Sequence, residues 1–86
     1  MEYSDTLNCL LPGERALVER IETQGSMRRR FLDIGLIENT RVSCVGKSPA
    51  GDPSAYLIRG AVIAIRARDC KGIIIRRIGS EAFTWD

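Results

Sequence analysis

Histidine is missing from all 86 residues, and this governs the chemistry open to the chain. Imidazole is the commonest general base near neutral pH and the commonest metal ligand. What remains is three cysteines (Cys9, Cys44 and Cys70), 13 Lys+Arg and 11 Asp+Glu. No serine or cysteine has a candidate activating base beside it, and none of the glycine-rich phosphate loops occurs. The letters Gly51-Asp52-Pro53 form a turn and carry no nucleotide signature. The cysteines are odd in number and none is closely spaced to another, which argues against zinc-type spacing and a disulfide framework. A metal site would have to be built from thiolates and carboxylates alone, with Cys44 and Cys70 as its weak candidates. Both fall where a small hydrophobe belongs, and free cysteine behaves as one. These residues do not make an enzyme and call for no cofactor.

Charge discriminates less by its total than by its distribution. The net charge is +2, but residues 1–22 carry five acidic groups against two arginines, whereas residues 59–77 carry six basic groups against Asp69. The run Arg28-Arg29-Arg30 resembles a nucleic-acid patch, yet consecutive helical residues are about 100° apart and fan around the helix. Arg29 and Asp33 are spaced for an i,i+4 pair. The aromatics are Tyr3, Phe31, Tyr56, Phe83 and Trp85; with Phe31 and Tyr56 assigned to the core, little platform is left for stacking bases. A small nucleic-acid-binding barrel is therefore the alternative reading, and a weak transition-metal carrier a further one. No apolar run approaches the roughly 20 residues of a membrane span, and no export signal opens the chain. The expected location is a reducing cytoplasm, without membrane insertion.

The elements that position these groups are short. One domain is expected, with a core over about residues 5–78 and a tail over 79–86. The segment 4–13 reads as a helical turn or coil that packs Leu7 and Leu10, and Pro12-Gly13 as a type II turn. A strand follows over 14–22, where Ala16 and Val18 are out of step with Ile21; either a bulge near Arg20 resets the register or Leu17 and Ile21 straddle the sheet edge. A helix over 27–34, with Ser26 as N-cap, buries Met27, Phe31 and Ile34. Gly35 stops it in a left-handed conformation, and Leu36 folds back on Phe31. A second strand spans 40–47, with Val42 and Cys44 inward. The run Ile73-Ile74-Ile75 within a last strand over 72–78 suggests burial on both faces.

The hairpin is the sharpest inference. With Arg59-Gly60 as a two-residue turn, strands 54–58 and 61–65 pair Ile58 with Ala61, Leu57 with Val62, Tyr56 with Ile63, Ala55 with Ala64 and Ser54 with Ile65. Partners share a face, so Tyr56, Ile58, Ile63 and Ile65 face the core, and Leu57 and Val62 face outward as an apolar pair seeking cover. That face, with Leu17, Arg59 and the aromatic tail residues Phe83 and Trp85, is the candidate surface for a partner or a second copy. Five short strands with a helix inserted after the first describe a mainly β fold with one to two short helices, a small SH3-like, partly open five-stranded barrel, with the OB-fold as its nearest competitor.

The ordered set Pro12-Gly13-Glu14, Arg28-Arg29-Arg30-Phe31-Leu32-Asp33-Ile34-Gly35-Leu36, Val42, Pro49-x-Gly51-Asp52-Pro53, Arg59-Gly60 and Ile63-x-Ile65-Arg66 closely resembles the FeoA family, over about residues 5–78. The resemblance implies an SH3-like, non-enzymatic cytoplasmic module of bacterial ferrous iron uptake. It implies as partner the FeoB-type Fe(II) transporter, on the side of its cytoplasmic GTPase domain. Association with Fe(II) is implied by the resemblance alone.

Overall fold

The run Ile73-Ile74-Ile75 lies inside the sheet, on a strand with a neighbour on each side, in a computed structural model that describes residues 5–78. The strands are β1 (Asp5–Thr6), β2 (Arg15–Ile21), β3 (Arg41–Lys47), β4 (Ser54–Ile58), β5 (Ala61–Ile65) and β6 (Ile73–Arg77). Helix α1 (Gly25–Asp33) follows β2, the single turn α2 (Ala67–Cys70) follows β5, and a 3-10 turn covers Leu7–Cys9. All strand pairs are antiparallel, in the order β1-β6-β2-β3-β4-β5. β1 and β5 do not pair with each other, so the sheet curls without closing. This is the expected mainly β, SH3-like, partly open architecture, with β1 as a short sixth strand beyond the five anticipated.

The local expectations can be checked one by one. β2 shifts register between Val18 and Arg20, which is the bulge that brings Ile21 back into step. Pro12 and Gly13 (φ +92°) turn the chain, with the Glu14 N–H bonded to the Leu11 carbonyl at 2.9 Å. Gly35 (φ +99°) ends α1 with both bonds of a Schellman stop: its own N–H to the Leu32 carbonyl at 3.0 Å, and the Leu36 N–H to the Phe31 carbonyl at 2.9 Å. Phe31 and Leu36 are both buried in the core.

Two expectations for α1 need correction. The helix begins two residues earlier than expected, so Ser26 lies inside its first turn; the N-cap is Gln24, which makes no side-chain capping bond. Gly25, at φ +74°, supplies the turn into the helix that a capping hydroxyl would otherwise have fixed. The expected Arg29–Asp33 ion pair is also not formed among the described residues; Arg28 instead donates to the Ile21 carbonyl at 2.9 Å, tying the helix to β2.

The hairpin register agrees at all five anticipated pairs. Arg59 (φ +50°) and Gly60 (φ +84°) both take left-handed values, as a type I′ turn requires. Tyr56, Ile58 and Ile65 join Leu7, Leu10, Val42, Ile73 and Ile75 in the buried interior, with Ile63 packed at its margin, while Ile74 is buried on the opposite face of β6.

Candidate functional site

The pleat carries the outer face across four strands. Leu57 stands opposite Val62 on β5 and Ser43 on β3, and Ser43 stands opposite Arg15 on β2. The neighbouring row runs Arg41, Leu17, Arg76. Because cross-strand partners share a face, these side chains all point away from the core that Ala16, Val18, Val42 and Tyr56 fill. Leu57 remains 39% exposed and Val62 64%, so the apolar pair anticipated from the register is open to solvent. Leu17 is half-buried on the same face.

A shallow cavity of about 380 Å³ lies in this face, lined by Arg15, Arg41, Val42, Ser43, Leu57, Arg59 and Gly60. Three of its seven lining residues are arginines and none is acidic, so the cavity joins an apolar floor to a positive rim. Arg59 is fixed from outside the hairpin: its Nε donates to the Gly35 carbonyl at 3.2 Å. Gly35 lies just past the C-cap of α1, and its carbonyl also accepts from the Thr40 hydroxyl at 2.9 Å. The helix stop and the hairpin turn thus meet at one contact. Leu57, Val62, Leu17 and Arg59 are brought to one surface; Phe83 and Trp85 lie outside the described residues.

The cysteines sit elsewhere. Cys44 and Cys70 are buried, whereas Cys9 is exposed. The Cys44 thiol points at the Gly46 carbonyl, 3.7 Å away. Cys70 donates to the Tyr56 hydroxyl at 3.6 Å, and that hydroxyl donates to the Leu7 carbonyl at 3.4 Å, joining α2, β4 and the N-terminal turn. Burial pushes the Cys70 thiol up to about 11 and raises Tyr56 as well, so both stay protonated at neutral pH. A protonated thiol is a poor metal ligand. Among the described residues no three His, Cys, Asp or Glu side chains gather as a metal site would require. Cys70 acts as a core-filling donor, and Cys44 packs in the same core cluster.

One constellation had no signal in the sequence. Arg77, the last residue of β6, donates to Glu14 at 2.8 Å, to Asp5 at 3.2 Å and to the Cys9 carbonyl at 2.9 Å. It clamps β1 and the turn after it onto the sheet. The Asp5 carboxyl is held below its usual range by the Cys9 thiol, the Thr6 N–H and Arg77, while its acidic neighbours raise Arg77 against the opposing effect of partial burial. Partners 63 and 72 residues away in sequence leave no local pattern to find.

The described residues thus form an open antiparallel SH3-like sheet with an apolar, arginine-rimmed outer face. The chain belongs to the FeoA family: residues 6–77 match the FeoA domain, a small non-enzymatic accessory domain of ferrous iron transport. It is 30% identical over 76 residues, 88% of its length, to an Fe(2+) transport protein A/Fe(2+) transporter FeoB fusion protein of Porphyromonas gingivalis, of which it spans 9%. The fold is similar to the FeoA-like protein from Clostridium acetobutylicum, with a TM-score of 0.84, 27% identity and 94% of each chain covered. It is likewise similar to FeoA from Chlorobium tepidum, with a TM-score of 0.81, 25% identity, and 95% of this chain and 81% of that one covered. A FeoA from Stenotrophomonas maltophilia complexed with zinc shares the fold at a TM-score of 0.74 and 24% identity, over 83% of this chain and 88% of that one.

Proposed function

We propose that this chain is a cytoplasmic accessory module of bacterial ferrous iron uptake that docks on the GTPase side of a FeoB-type transporter through the outer face of the β4–β5 hairpin. The observation that carries this reading is the relative in which an Fe(2+) transport protein A and FeoB form one fused chain. Two functions joined in one polypeptide act at high effective concentration, so a separate module acting with the same partner needs a binding surface in place of the tether. The surface is chosen on physical grounds: Leu57 and Val62 are large apolar side chains left in water beside Arg15, Arg41 and Arg59. Exposed apolar groups rimmed by polar ones are the usual anatomy of a binding surface. On this reading the module acts on the transporter by binding, in keeping with a set of described residues in which no three His, Cys, Asp or Glu side chains gather. The test is capture of a detergent-solubilised FeoB-type transporter by the Leu57→Glu/Val62→Glu variant. Capture is expected to be lost with the fold intact by circular dichroism; unchanged capture rules out this face.

A further inference from the structure

The strand order leaves β5 at the open edge of the sheet, paired with β4 alone. In an antiparallel ladder, pairs that exchange both main-chain bonds alternate with pairs that exchange none. The two-residue turn makes Ile58–Ala61 a bonded pair. Tyr56–Ile63 and Ser54–Ile65 are then bonded too, whereas Leu57–Val62 and Ala55–Ala64 are not. The N–H and C=O of Val62 and Ala64 therefore point away from β4, and no bond from the described residues reaches them.

Exposed edges are ordinarily blunted by proline, charge, a bulge or brevity. β5 has none of these: its five residues, Ala-Val-Ile-Ala-Ile, carry no charge and no proline, and its register is unbroken. The opposite edge, β1, is only two residues long. Charges bracket β5, with Arg59 before it and Arg66 after it, both exposed. Pairing of two copies with Val62 opposite Ala64 would set Gly60 opposite Arg66. Each end would then hold Arg59 of one copy beside Arg66 of the other, and like charges that close are destabilising. The same bracket suits a strand with carboxylates at its ends.

We propose that β5 receives an extended apolar segment of a partner protein, flanked by acidic residues, as a seventh strand bonded to the main chain of Val62 and Ala64. In strand addition of this kind main-chain bonds supply affinity and side chains supply selectivity; here the carboxylates meet Arg59 and Arg66. This rests on the transporter reading above and specifies how that partner is held.

The test is hydrogen exchange of the full chain, alone and with detergent-solubilised FeoB-type transporter, together with binding of Ala64→Pro and Ala64→Ser variants. The Val62 and Ala64 amides are expected to slow at least tenfold in the complex. Ala64→Pro, which removes an outward N–H and no β4 bond, is expected to weaken binding at least tenfold, and Ala64→Ser less than about twofold. Unchanged slow exchange at Tyr56 and Ile63 in the variants reports an intact hairpin. If the Val62 and Ala64 amides exchange as fast in the complex as in the free chain while Leu57→Glu abolishes binding, the strand proposal falls and the transporter reading stands. No binding by the wild-type chain overturns both. Slowing that grows with the chain's own concentration assigns the edge to a second copy and overturns the acidic partner.

Discussion

Replacing Gly35 by alanine tests whether the helix stop and the hairpin turn are one device. A left-handed residue with a side chain costs about 1–2 kcal/mol, and Gly35 sits at φ +99°. A Cβ there would also collide with Cδ of Arg59 and lie 2.6 Å from its Nε. Arg59 must then swing away and give up its bond to the Gly35 carbonyl, a further loss of about 0.5–1.5 kcal/mol. Gly35→Ala should therefore destabilise by roughly 1.5–3.5 kcal/mol, a fall in Tm on the order of 5–30 °C for a domain of this size. In an Arg59→Ala background the collision is gone, so the same substitution should cost only the backbone part, about 1–2 kcal/mol. Urea unfolding of the four proteins in this double-mutant cycle reads the difference directly. An equal cost in both backgrounds would refute the claim that Arg59 and Gly35 are coupled.

Alkali should loosen the core through Cys70. An acid whose folded value is raised binds its proton longer when folded, so stability declines once the unfolded thiol ionises. The decline for Cys70 begins near the ordinary value of 9.0 and ends at about 11, amounting to about 2–3 kcal/mol. Cys70→Ala should flatten urea midpoints between pH 9 and 10, below the ordinary value of the likewise raised Tyr56, and an identical slope there would contradict it. Arg77→Met should cost about 1 kcal/mol at neutral pH, the scale of exposed ion pairs. Asp5 works with the opposite sign: its folded value is depressed, so its contribution is complete above the ordinary 3.8 and fades as pH falls below that. The gap between wild type and Arg77→Met should accordingly narrow below pH 3.8, and a gap independent of pH would exclude the ion pairs as its cause.

Much of the fold was legible because its signals are local. Arg59-Gly60 sets a two-residue turn, and the turn dictates five cross-strand pairs without any knowledge of the remaining chain. Gly35 followed by Leu36 is likewise a complete helix stop within a few residues. The exposed pair Leu57 and Val62 followed from that register alone. The less legible features depend on distant partners. β1 is too short to show a period, and Arg77 holds it from the other end of the chain. Ser26 resembled a cap, yet Gly25 opens the helix one residue before it. The free edge of β5 becomes visible only with the strand order, because a hairpin sequence does not say which of its strands lies outside.

The most direct measurement of the account is a hydrogen-exchange footprint of the full chain bound to a FeoB-type transporter. Protection is expected on β4 and β5 around Leu57 and Val62, with the exposed face of α1 around Arg29 and Arg30 unchanged. Protection confined to α1, with the hairpin exchanging as in the free chain, would contradict the assignment of function to the outer face of the hairpin.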